Sequence, residues 1–300
     1  MGSGAASGER ARRWMRRIAA SLFTVLFPSD CRICGESLTE ISRLPVCQDC
    51  LDTMNPIEGN VCSVCGERLF TPYVVAGAQG DYRCGLCRRI DPVFARAVAY
   101  GSYENGLREL IHLLKFNGVR PAANVLGRML AEAISALGLE PSTKSIAVIP
   151  VPLYRAKFRQ RGFNQAELIA RAAIKITAAA DRLHLSPGIL VRKRDTSSQI
   201  GLTSHQRREN VRGAFGVAQP QVVKDREVLL VDDVFTTGAT VSECARVLRR
   251  AGATRVWVAT VARTLKNSSR SIEIRLGDSG EETGEVSGVE EISLARAVGG

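Results

Sequence analysis

Eight of the nine cysteines fall into four Cys-x-x-Cys pairs, all within the first third of the 300-residue chain. The pairs are Cys31/Cys34, Cys47/Cys50, Cys62/Cys65 and Cys84/Cys87; the ninth, Cys244, stands alone in a predicted helix. Paired cysteines serve disulfides in oxidising compartments and metal ions elsewhere. The start of the chain, ERARRWMRRIAASLFTVLFPSD, has a basic region and about ten apolar residues but no clear small-residue cleavage site. That apolar run is too short to span a bilayer, which takes about 20 residues. The pairs therefore read as metal ligands in a reducing cytoplasm.

Twelve residues separate the first two pairs and eighteen the last two. Two such knuckles can wrap one tetrahedral ion, with four thiolates at about 2.3 Å from zinc. Two sets of four predict two zinc sites in a double, ribbon-like module. Sulfur fills every ligand position, so the sites are structural rather than catalytic. Sequential pairing of the knuckles is expected, and interleaved pairing fits the same spacing. The metal replaces a hydrophobic core that a short, turn-rich segment lacks.

The texture changes near residue 93. Apolar runs and helical periodicity then alternate: strands at 95–100, 145–152, 189–193, 227–233 and 255–263, helices at 104–116, 122–137, 162–180 and 239–253. Strands alternating with helices predict an α/β fold with a parallel sheet covered on both faces. The expected organisation is a basic segment over 1–27, the zinc module over 28–92, the α/β domain over 93–265 and an acidic, disordered tail over 266–300. The basic segment carries Arg10, Arg12, Arg13, Arg16 and Arg17 ahead of Leu22, Phe23, Leu26 and Phe27. It reads as a short amphipathic helix, either for peripheral membrane contact or for packing on the zinc module. A net charge of +11 favours polyanionic partners: nucleic acid, phosphorylated substrates or an anionic surface.

Residues 228–240 read VLLVDDVFTTGAT. An apolar strand runs into Asp232 and Asp233, and a small-residue turn follows. Thr236, Thr237, Gly238 and Ala239 place backbone N–H groups at the start of the next helix, where the dipole and unsatisfied donors receive an anion. Hydroxyls of Thr236, Thr237 and Thr240 add donors. The two carboxylates suit vicinal sugar hydroxyls and can help hold Mg²⁺ near a diphosphate. The stretch is neither a Gly-Lys-Thr phosphate loop nor a Gly-x-Gly-x-x-Gly turn.

This stretch resembles the phosphoribosyl pyrophosphate (PRPP) loop of type I phosphoribosyltransferases. In that family the two acids contact the ribose hydroxyls and the turn binds the 5′-phosphate. The segments IPVPLYRAKFRQRGFNQAELIARA (149–172), TSSQIGLTSHQRRENVRGAF (196–215) and YENGLRELIHLLKFNG (103–118) resemble the ComF family, which joins a cysteine zinc module to a phosphoribosyltransferase domain. The resemblance spans about residues 28–263. It implies PRPP with Mg²⁺ as ligand and displacement at the anomeric carbon, with Asp232 and Asp233 steadying an oxocarbenium-like centre. It also implies that Arg155, Lys157, Arg159 and Arg161, alternating after Pro150-Val151-Pro152, form a pyrophosphate loop that stabilises the leaving group. Arg192, Lys193, Arg194, Arg207, Arg208 and Arg212 would form a hood over the phosphates or lie along DNA. No histidine of the three is assigned a role. The alternative is a non-catalytic accessory protein that binds single-stranded DNA beside DNA-uptake proteins, at the cytoplasmic face of the membrane. A third reading is a PRPP-sensing regulator. Against stacking on single strands stands an aromatic content of 5%. Tyr154, Phe158 and Phe163 form the one cluster near the basic segment.

Overall fold

A computed structural model of the chain describes residues 30–38, 42–69, 82–139, 145–196 and 203–265. The predicted N-terminal helix and acidic tail lie outside these residues. Five strands form one wholly parallel sheet in the order β1-β7-β6-β2-β3: β1 (Arg96–Ser102), β2 (Ile146–Pro150), β3 (Leu183–Leu185), β6 (Glu227–Phe235) and β7 (Arg255–Arg263). The three inner strands are nearly continuous in buried residues, as strands covered on both faces must be.

Side-chain alternation divides the core in two. On one face Ile146, Val148, Leu229, Val231, Ala259 and Val261 pack under helices α3 (Asn105–Lys115), α4 (Ala122–Ser135) and α6 (Gln165–Ile174). On the other, Ala147, Ile149, Val228, Leu230, Val256 and Val258 pack under helix α9 (Ala239–Arg250). The first pair of cysteine knuckles joins the first core through Cys31, Val46 and Met54. The second joins the opposite core through Cys62, Val64, Cys65 and Cys87. The cysteine segment and the sheet thus belong to one compact unit ending at Leu265, rather than to two separately packed bodies.

Several expectations change here. Leu190–Arg192 (β4) is not in the parallel sheet; it pairs antiparallel with β5 (Phe215–Val217) in a separate two-stranded ribbon. Three residues are too few to reveal direction. The helix expected at 162–180 ends at Ile174, with a 3₁₀ turn at Ala180–Arg182. Asn164 caps it by accepting a hydrogen bond from the Ala166 amide, so Gly162 and Phe163 stay outside. The segment expected as a basic loop is a helix, α5 (Arg155–Arg161), closed by Gly162 in the left-handed region. Helix α7 (Ser204–Val211) starts at a capping box in which Thr203 and Gln206 satisfy each other's backbone amides. Short helix α8 (Pro220–Val223) leads into β6.

Helices α4 and α6 touch at Gly127, where a β-carbon would lie 2.5 Å from Ala172 Cβ and 3.1 Å from the Ala173 nitrogen. Gly127→Val is expected to lower stability by roughly 1–3 kcal/mol through overpacking. Urea unfolding checks this: the midpoint should fall while the slope stays unchanged.

Candidate functional site

The two cysteine quartets are near copies. In each, the backbone turns from the first cysteine to the fifth residue beyond: Cys31 N–H donates to Glu36 O and Gly35 N–H to Cys31 O, as Cys62 donates to Glu67 O and Gly66 to Cys62 O. The second knuckle of each sits at the head of a short helix, α1 (Gln48–Asp52) after Cys47 and α2 (Gly85–Arg89) after Cys84. The knuckles pair sequentially: Cys31, Cys34, Cys47 and Cys50 form one group, and Cys62, Cys65, Cys84 and Cys87 the other.

Sulfur separations of 3.9 Å (Cys31–Cys50), 3.7 Å (Cys34–Cys47) and 3.6 Å (Cys65–Cys84) match a zinc tetrahedron. Four Zn–S bonds of about 2.3 Å place the sulfurs about 3.8 Å apart. The residues therefore fit two structural zinc ions. Burial pushes the Cys31 thiol up, but amides of Cys34, Cys47 and Ile33 outweigh it and hold it at about 6. In the second quartet burial likewise pushes the Cys62 thiol up, and amides of Cys65, Cys84 and Val64 outweigh it and hold it at about 7. No ligand position is left for water, so the ions hold the fold and do no chemistry.

The other site lies at the carboxyl ends of the parallel strands, where open α/β sheets receive ligands. A cavity of about 540 Å³ is lined by, among others, Lys115, Lys157, Arg192, Asp232, Asp233 and Gly238. The strand does not end at the two acids; it runs on to Phe235. Adjacent strand residues leave the backbone toward opposite faces, yet the two carboxylates stay within hydrogen-bonding reach of each other. Asp233 shares the parity of Leu229 and Val231 and pairs with Lys115 at the end of α3. Asp232 shares the parity of Val228 and Leu230, on the face of Cys244 and Arg192. Asp233 is only 4% exposed. Burial pushes its carboxyl up, but the Lys115 ammonium outweighs this and holds it below the usual carboxylate range. Burial, and then the charge of Asp233, push Asp232 well above that range. Lys115 is held charged in turn: burial lowers it, and Asp233 raises it further. Lys115 lies within the quoted 103–118 motif but was not assigned to the site; the motif marks a helix, and only folding brings its last turn to β6.

After Phe235, the turn Thr236–Gly238 leads into α9, capped by Gly238 at φ 75. A β-carbon there would lie 2.7 Å from the Phe235 ring, so glycine is required twice, for backbone sign and for space. Among the described residues no side chain caps this helix start. The Thr237 hydroxyl oxygen is buried with no hydrogen-bond partner among the described residues. Thr236, Gly238 and Thr240 line the cavity, and Ala239 is the first helical residue.

The cations divide. At 3.6 residues per turn, alternate residues of α5 point apart. Lys157 faces this cavity, Arg155 lines a neighbouring one, and Arg159 is exposed and lines neither. Arg161 hydrogen-bonds Gln165 and lies 5.7 Å from the Phe116 ring. Of the second cluster, Arg192 and Arg207 line the cavity, whereas Arg194 donates to the carbonyls of Asn210 and Arg212. No histidine lines the cavity among the described residues. His112 bonds Tyr103 at 2.9 Å, and burial lowers its basicity.

Comparison with known proteins places these features in context. The chain matches the double zinc ribbon domain over residues 22–90 and the phosphoribosyl transferase domain over residues 169–277. It is 33% identical over 214 residues to the DNA utilization protein YhgH of Escherichia coli O157:H7, covering 68% of this chain and 91% of that protein. It is 32% identical over 224 residues to competence protein F of Haemophilus influenzae, covering 72% of this chain and 96% of that one. Among solved structures, an allosteric regulatory enzyme of purine biosynthesis is 26% identical over 47% of this chain and 26% of its own length. Its TM-score is 0.29, too slight a likeness to bear on mechanism.

The purified chain is expected to release two zinc equivalents to a thiol-modifying reagent, read with a zinc-sensitive dye, and Cys34→Ser about one. Chelation should also lower the thermal midpoint, because metal binding is folding energy here. Release of no zinc would refute the double site.

Proposed function

Because the chain belongs to the ComF family, in which a double zinc ribbon accompanies a phosphoribosyltransferase domain, we propose that it binds PRPP in the cavity above β6 and transfers phosphoribose from it. One observation carries this reading: the carboxylates of Asp232 and Asp233 and the start of a 12-residue helix, at Thr236, Gly238 and Thr240, line one cavity beside Lys115, Lys157, Arg192 and Arg207. The helix start and its threonines receive the 5′-phosphate. Asp232 and Asp233 accept hydrogen bonds from the ribose hydroxyls. Lys115 fixes the Asp233 carboxylate so that it stays ionised beside its neighbour.

Transfer breaks the bond between the anomeric carbon and the pyrophosphate oxygen and forms one to the acceptor, whose proton leaves. Asp232 and Asp233 stabilise the positive charge that grows on the sugar. Lys157, the one cation of α5 that lines this cavity, stabilises pyrophosphate as it departs. Mg²⁺, bound with PRPP, would neutralise diphosphate charge; Asp232 and Asp233 are the residues whose chemistry fits it.

A second reading is contact with single-stranded DNA. Phe116 and Phe158 are 69% and 47% exposed, and Arg161 sits over Phe116. Phe163, in contrast, is buried beneath Arg120 and is not available for stacking. The competence and DNA utilization names of the relatives favour a part in DNA handling.

Calorimetric titration with PRPP and Mg²⁺ should give saturable heat in the wild type and none in Asp232→Asn, Asp233→Asn. Binding needs Asp232 ionised, and its folded-state pKa is raised, so affinity should fall as pH drops and begin to do so above the usual carboxylate value. No wild-type heat would overturn the PRPP reading. For DNA, the double variant Arg159→Ala, Arg161→Ala should reduce the slope of log affinity against log salt by about 2. An unchanged slope would remove α5 from that interface.

A further inference from the structure

Arg263, at the end of β7, is 2% exposed, yet it lies between the second zinc ribbon and the phosphate-binding turn. Its guanidinium donates to the Cys65 carbonyl and, at 2.7 Å, to the Glu67 carboxylate. Cys65 is a zinc ligand, and Glu67 closes that ligand's turn by accepting from Cys62 through its carbonyl. The same guanidinium lies 5.0 Å from the centre of the Phe235 ring. Phe235 is its strand partner on β6 and also stacks edge-on against Phe94 at 6.2 Å. The Phe235 ring fills the space that a β-carbon at Gly238 would need. Thr264, next along the chain, donates to the Phe235 carbonyl at 3.0 Å and lines the cavity.

One unbroken line of contacts therefore runs from the zinc ligand Cys65 through Arg263 and Phe235 to Gly238. Among the described residues the first ribbon has no such line. Its Met54 accepts from Tyr100 through the carbonyl, and a β-carbon at Gly106 would meet the Met54 side chain, so it abuts the start of α3 rather than the turn. The two ribbons also belong to opposite cores, and Phe235 and Ala239 belong to that of the second.

We propose that Arg263 is a positioning residue that ties the second zinc ribbon to the phosphate-binding turn, so that zinc at Cys62, Cys65, Cys84 and Cys87 sets affinity for a phosphorylated ligand while zinc at the first quartet does not. The ligand named here, PRPP, rests on the proposed function; the mechanical link does not. A guanidinium is needed because one planar group must bond a carbonyl and a carboxylate in its plane and offer its face to an aromatic ring.

The test uses the full-length, zinc-loaded chain. Arg263→Lys keeps the charge opposite Glu67 but loses the planar fork. Cys87→Ser and Cys50→Ser each remove one ligand, from the second and first quartet respectively. For each protein PRPP affinity with Mg²⁺, zinc content and hydrogen exchange of amides 236–240 are measured. Arg263→Lys should retain two zinc equivalents, weaken PRPP by about tenfold or more and speed exchange in the turn. Cys87→Ser should do the same to affinity and exchange, and Cys50→Ser should leave both near the wild-type values. Wild-type affinity and exchange in Arg263→Lys would overturn the proposal, as would equal effects of the two cysteine variants. If Arg263→Lys does not fold, the cysteine pair decides. If the wild type itself takes up no PRPP, the PRPP reading fails and exchange in the turn alone decides the link.

Discussion

The arrangement at the end of β6 depends on the two-residue period of a strand. Two adjacent aspartates in a buried strand start toward opposite faces, yet the charge of Asp233 still bears on Asp232. Alternation sends Asp233 toward α3, where Lys115 neutralises it, and Asp232 toward the face of Arg192 and Cys244. Both still line one cavity, because β2 ends at Pro150, opposite Val231, and leaves that side of β6 open from Asp232 onward. A buried carboxylate is costly unless paired. The Lys115 ammonium therefore favours the ionised form of Asp233, while burial and the charge of Asp233 favour the protonated form of Asp232. That division comes from place in the sheet, since the two residues are chemically identical.

The remaining parts of the site are set by the same sheet. β6 lies between β2 and β7, and each neighbour delivers a loop to the cavity: Val151 and Pro152 after β2, Thr264 after β7. The turn after β6 needs Gly238, because the Phe235 ring occupies the space beside it. The zinc ribbons contribute rigidity rather than reactive groups. Their few apolar side chains merge into the two cores of the sheet, so the metal completes a core instead of standing apart as a separate domain.

The α/β class, the last strand at 255–263 and the helices near 105 and 239 were legible because each has a long run with one clear period. The short strands β3 and β5 were not, since three residues carry no period. The cations at 155–161, expected on a loop, lie on helix α5, which spreads them around its axis, and Lys157 alone of the four lines the cavity above β6.

By itself the sequence determined which atoms are available: eight thiols at zinc spacing, two adjacent carboxylates and a glycine-containing turn before a helix. These are local facts, decided by residues close in the chain. Tertiary structure alone decided which atoms meet. It paired the knuckles sequentially, brought Lys115 to Asp233 across more than a hundred residues, and joined Arg263 to Cys65 and Glu67 across nearly two hundred. Such contacts leave no spacing to read, because their sequence separation is set by the sheet order and not by any local period.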